Sequence, residues 1–273
     1  MNAAPPSPTL SALGGFVRQH DPDRFLCALF APAERREALF ALLAYNHELA
    51  RAREVASQPV LALIRLQWWR EVVENAAAGR PPRQHEVAAP LHALVAAGTL
   101  DAADLLAMAD AREAEAEDGM PSASAFQAYL RGTAGGVALA AGRLLGAGGA
   151  VLPAVQQAGA LYGLAGVLRS TGALARQGRC LLPEEALAAA GLTPHEVMAE
   201  PARAVPVVRA LAAEGMARRP VLAGLPRGAL AAALPLVLAR RDLRRLAAGR
   251  PMPPMRGLAD RLAVMAAGVL GRL

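Results

Sequence analysis

A chain of 273 residues that is 54% hydrophobic and 19% charged can withdraw roughly 70–75% of its unfolded surface from water. All 29 basic residues are arginine, set against 23 acidic ones for a formal net charge of +6. With the arginines dispersed and aromatics at 4%, no nucleic-acid-binding signature is present, and the balance reads as a solvated, mildly cationic surface that leaves peripheral contact with an anionic membrane open.

The N-terminal stretch, MNAAPPSPTLSALGG, lacks a basic region followed by an apolar core. It reads as part of a flexible tail over 1–20, not as a signal peptide. Helical periodicity then runs almost unbroken, without the alternation that strands require. Helices are predicted over 32–57, 60–78, 84–97 and 101–117, with Asp101 as an N-cap. Gly119 and Pro121 interrupt, and Ser122 caps a helix over 123–145 whose Gly132, Gly135 and Gly136 either kink it or admit a close neighbour. A long helix over 151–175, short ones over 184–190 and 194–199, and three more over 203–223, 225–248 and 255–270 complete the chain. The apolar run 228–239 is broken by Pro235 and too short to span a bilayer. The fold class is all-α, with 21–273 as one domain.

Five scattered histidines lack HxxxH spacing, and no CxxC occurs, so a zinc site is not indicated. Cys27 and Cys180, distant and in apolar runs, read as buried thiols of a reducing compartment. The expected location is cytoplasmic, with a peripheral inner-membrane position open.

The most informative stretch is 163–183, GLAGVLRSTGALARQGRCLLP. Leu168-Arg169, Gly178-Arg179 and Leu182-Pro183 fall in register with the second aspartate motif of the squalene/phytoene synthase family, which it resembles. Upstream, Asp23-Arg24-Phe25 with Ala28-Leu29-Phe30-Ala31-Pro32, then Trp68-Trp69-Arg70, then Tyr129-Leu130-Arg131-Gly132-Thr133-Ala134-Gly135 resemble further family segments in the same order. The resemblance implies an isoprenoid-synthase-like bundle around a central apolar cavity. It also implies that the helices bearing the two motifs face one another across that cavity.

Where the family carries magnesium-binding aspartates, this chain departs. Carboxylates at i and i+4 share a helix face and hold Mg²⁺ against a prenyl diphosphate. The second-motif positions are Ser170 and Leu174; the first-motif positions are Ala50, Arg51 and Glu54. One carboxylate of five survives, so no metal ligand set and no catalytic residue is assigned. Asp110, Glu113 and Glu117 share a face that reads as solvated and laced with Arg112. Arg169, Arg176 and Arg179 are candidates for an anion. Tyr45, His47, Glu54 and Tyr129 join them as pocket candidates, although the tyrosines read first as core residues.

Three readings follow. The first is a non-catalytic family member acting as a binding or assembly protein, since Tyr45-Asn46-His47-Glu48-Leu49-Ala50 is similar to an aspartate-depleted branch, that of the mitochondrial assembly factors for respiratory complex I. It implies a protein partner and no cofactor. The second is a head-to-head prenyltransferase of squalene or phytoene synthesis, which would need Mg²⁺. Against it, no aromatic residue follows Tyr162 to stabilise a carbocation. The third is an isoprenoid- or lipid-binding protein that uses the cavity without chemistry.

Overall fold

The first helix forms inside the segment expected to be a tail. Ser11 caps α1 (Ala12–His20), its hydroxyl accepting from the Gly14 amide at 3.0 Å. Leu13 and Val17, one turn apart, are buried as α1 packs on α3 (Ala33–Glu54). The boundary at residue 20 is therefore corrected: an apolar pair at helical spacing gains more from burial than the chain gains from staying loose. The computed structural model describes residues 10–56, 58–117, 119–253 and 255–273, so the rest of the expected tail, 1–9, lies outside the described residues.

Asp21 and Pro22 start α2 (Pro22–Ala28). After α3 come α4 (Pro59–Ala77), α5 (Ala88–Ala96) and α6 (Ala102–Ala111), the last capped by Asp101 as expected. The helix predicted over 101–117 tightens after Ala111 into a 3-10 turn, Arg112–Ala116. Ser122 caps α7 (Ala123–Gly132), and the helix predicted to run on to 145 breaks at Thr133 before α8 (Ala134–Leu144). Then follow α9 (Leu152–Arg176), α10 (Glu184–Ala189), α11 (Pro194–Ala199), α12 (Val205–Ala217), α13 (Leu230–Ala233), α14 (Pro235–Ala247) and α15 (Leu258–Leu270). Pro235, which has no amide hydrogen to donate, separates α13 from α14 where one helix was expected. Among the described residues there is no strand, only an isolated bridge between Met120 and Pro183.

The glycines anticipated to kink a helix or admit a neighbour do both. Next to the break at Thr133, a Cβ on Gly135 would lie 2.9 Å from the Gln156 carbonyl oxygen, and one on Gly159 would lie 2.5 Å from that of Ala134. Backbone therefore meets backbone where α8 crosses α9, and any side chain would push the helices apart. This approach shapes the interior. Where a central apolar cavity was expected, the space among α2, α3, α8, α9 and α13 amounts to about 20 Å³. No helix among the described residues is long and apolar enough to cross a membrane.

Candidate functional site

A cleft of about 720 Å³ opens beside the middle of α9. Tyr162, Gly166 and Arg169 reach it from α9, because i, i+4 and i+7 share one face. His20, Asp21 and Asp23 reach it from the α1–α2 junction, and Arg256 and Arg261 from the start of α15. Ion pairs knit this cleft together. The Tyr162 hydroxyl donates to Asp23 at 3.2 Å, and the Arg24 guanidinium lies 4.7 Å from the centre of the Tyr162 ring. Arg256 donates to Asp23 at 2.9 Å and to Asp242 at 2.6 Å. Arg169 lies 3.6 Å from Asp242 and donates to the Pro253 carbonyl at 2.8 Å. Burial disfavours the Arg256 charge, but hydrogen bonds to both aspartates outweigh that and raise its pKa above the usual arginine range. Tyr162 lines both this cleft and the 20 Å³ interior, so its ring, with the Arg24 cation over it, stands between the two spaces.

A second ionic centre lies between the 3-10 turn and the end of α9. Glu115 accepts from Arg112 at 2.5 Å, from Arg179 at 2.7 Å and from the Tyr129 hydroxyl at 2.8 Å. Arg112 also reaches Asn46 on α3 at 3.3 Å. Burial penalises the Glu115 carboxylate, yet the two guanidinium groups outweigh it and hold its pKa below the ordinary glutamate value.

Asp110, Glu113 and Glu117 form the exposed face expected of 110–117, and this centre corrects only the part given to Arg112, which does not lace that face. Asp110 and Glu113 are exposed, but both bind Arg70 of α4, the first at 2.6 Å, while Arg112 and Glu115 turn inward. The signal was present: 108, 112 and 115 follow i, i+4, i+7 spacing, so the buried stripe through Met108 continues into an oppositely charged pair.

The candidate residues do not converge. Arg169 sits in the cleft, Arg179 is spent on Glu115, and Arg176 is exposed at the end of α9. Tyr129 belongs with Arg179. Tyr45 is fully buried, donating to the Leu105 carbonyl at 2.9 Å and meeting Trp69 edge-on. Trp69 is the inward ring of its pair, and Trp68 packs beside His85 and Arg83. His47 stacks on His20 with ring centres 4.6 Å apart, which joins α3 to the edge of the cleft. Burial, with His20 and Arg51 nearby, pushes the His47 pKa down to about 4. Glu54 is exposed.

The positions where a metal would be held do not fit one. Arg51 is 3.6 Å from Glu48, Leu174 packs against the apolar cluster that includes Leu168, and Ala50 and Ser170 offer no carboxylate. Among the described residues, no three His, Cys, Asp or Glu side chains could share a metal ion. The donor set therefore disagrees with magnesium–diphosphate chemistry. Another cleft, about 830 Å³ among α7, α9 and the end of α12, contains none of these positions.

Residues 17–258 match the squalene/phytoene synthase family. The chain belongs to the squalene/phytoene synthase family. Among solved members of this fold, a dehydrosqualene synthase superposes with a TM-score of 0.74 at 14% identity, covering 95% of this chain and 94% of that one. Squalene synthase HpnC from Alicyclobacillus acidocaldarius superposes with a TM-score of 0.62 at 18% identity, covering 95% and 92%. Such low identities establish the isoprenoid-synthase-like fold and nothing of the chemistry.

Curated relatives within the family carry another description. Human NADH dehydrogenase (ubiquinone) complex I, assembly factor 6 is 36% identical over 102 residues, which is 37% of this chain and 30% of that protein. Its Drosophila melanogaster homolog is 27% identical over 191 residues, 67% of this chain and 56% of that protein. The chain thus spans under a third of the human relative and just over half of the fly one.

Proposed function

We propose that this chain is a non-catalytic squalene/phytoene synthase family member that acts as a binding protein in respiratory-complex assembly. The observation that carries the reading is the closed interior beneath Tyr162. Ligand pockets ordinarily measure about 300–1,000 Å³, and 20 Å³ leaves no room for a prenyl chain. The eroded aspartate positions support it independently, since ionising a diphosphate requires its charge to be neutralised as the bond breaks. The likeness to proteins described as complex I assembly factors supplies the direction. Under this reading the partner is a protein of that assembly line, met in the cytoplasm at the inner membrane surface. The closed interior speaks equally against the prenyltransferase reading and against a lipid carried in the central cavity.

Deletion of the gene in its host tests the proposal. NADH:ubiquinone oxidoreductase activity and the native-gel band of the assembled complex should fall, return on complementation, and leave carotenoid and hopanoid levels unchanged. Intact respiration beside lost polyprenoids would overturn it.

A further inference from the structure

The basic excess is segregated, not dispersed. Between residues 215 and 273 the sequence holds eleven arginines and two aspartates; the first 214 residues hold eighteen arginines and twenty-one carboxylates. Both C-terminal aspartates are buried, Asp242 at 1% exposure and Asp260 at 2%, so the exposed charge of this segment is wholly cationic.

The same segment ends in α15, whose faces are unequal. Asp260, Val264 and Gly268, spaced i, i+4, i+8, are its buried residues. Gly268 sits against the Phe30 ring so tightly that a Cβ would fall 2.4 Å from it. The opposite face carries Leu258 (72% exposed), Leu262 (52%), Met265 (46%) and Val269 (63%) at i, i+4, i+7, i+11. Met255 and Leu270 extend this apolar strip at its two ends. No charged side chain interrupts it. Arginines border it: Arg261 lies between Leu258 and Leu262 in the chain, Arg272 follows its C-terminal end, and Arg227 donates to the Val269 carbonyl at 2.8 Å.

We propose that the outward face of α15 is a docking surface for an anionic lipid bilayer. An unbroken aliphatic strip with a cationic border and no exposed carboxylate suits the boundary between headgroups and acyl chains. There the aliphatic side chains leave water and the guanidinium groups meet lipid phosphates. Nucleic acid would use the arginines but gain nothing from four exposed aliphatic side chains, and an acidic protein surface would not call for a strip this wide. The surface adjoins the cleft at α9, with Met255 and Arg261 on the shared edge, and the inference stands apart from the assembly reading.

Vesicle flotation tests it. The purified chain should float with vesicles of phosphatidylcholine and phosphatidylglycerol in equal parts, stay behind with phosphatidylcholine alone, and be released by high salt. The double variant Leu262→Asp/Met265→Asp alters only outward side chains and should keep its far-UV spectrum and melting temperature while losing roughly tenfold or more in vesicle binding. Arg261→Ala/Arg272→Ala should weaken binding to the anionic vesicles and flatten its salt dependence. Failure to float with anionic vesicles overturns the proposal, as does binding that the aspartate variant leaves unchanged. A concentration-dependent dimer abolished by that variant would assign the strip to a second copy instead, and duplex DNA binding that survives it would assign the arginines elsewhere; either result overturns the bilayer reading.

Discussion

Arg179 donates to Glu115 across 2.7 Å, joining the end of the α9 motif frame to the turn that follows α6. The family frame Gly178-Arg179 is thus retained for a structural ion pair. Glu115→Gln leaves two buried guanidinium groups without a counter-charge, a change that costs ~3–5 kcal/mol in comparable pairs. Urea denaturation should show that loss. A change below about 1 kcal/mol would mean that water solvates the two arginines as well as Glu115 pairs them.

Two groups make stability fall on acidification, in separate windows. The His47 pKa is held at about 4 against an ordinary 6.5, so between those values the unfolded chain binds the extra proton and stability rises with pH. His47→Gln should flatten that part of the profile. Glu115, whose pKa is lowered, contributes fully above the ordinary glutamate value of 4.5, and its contribution is lost as pH falls below that through its folded value. Thermal melts from pH 8 to pH 3 check both. An unchanged slope in the His47 variant would contradict the assignment.

Tyr162 stands between cleft and interior, and its two contacts are separable by mutation. Tyr162→Phe keeps the ring under Arg24 and loses the bond to Asp23, which should cost about 1 kcal/mol. Tyr162→Ala removes both and leaves a void, for about 3–5 kcal/mol. Equal losses in the two variants would show that the hydroxyl, not the ring, carries the contribution of Tyr162 to stability.

Much of this was legible in the sequence, and the exceptions have physical causes. Asp101 and Ser122 cap helices as their side-chain chemistry predicts, whereas the helices expected over 123–145 and 225–248 break at Thr133, in a glycine-rich stretch, and at Pro235, which has no amide hydrogen to donate. The eroded motifs could be read directly, because serine, leucine, alanine and arginine are not magnesium ligands wherever they sit. Arg112 and Glu115 were hidden by treating charge as a mark of solvent, although their spacing continued the buried stripe through Met108. The role of Tyr162 was not legible. It depends on how closely α8 crosses α9 at Gly135 and Gly159, a tertiary distance that no local pattern carries. The cationic C-terminal segment was hidden by counting arginines without the carboxylates around them.

Restoring the ligands should separate metal binding from turnover. The combined variant Ala50→Asp, Arg51→Asp, Ser170→Asp, Leu174→Asp should bind Mg²⁺ by calorimetry, because paired carboxylates return to both helices. It should form no coupled product, since the interior stays near 20 Å³. Product formation by this variant would show that the interior opens on its own.

The most direct test of the non-catalytic reading is pyrophosphate release by the purified, unmodified protein given farnesyl or geranylgeranyl diphosphate with Mg²⁺. Any diphosphate held at the arginines of the cleft would gain no rate from that contact, because binding the ground state and the transition state alike does not accelerate ionisation. The account predicts pyrophosphate release no faster than in buffer and no coupled hydrocarbon. Mg²⁺-dependent pyrophosphate release accompanied by a C30 or C40 product would contradict it.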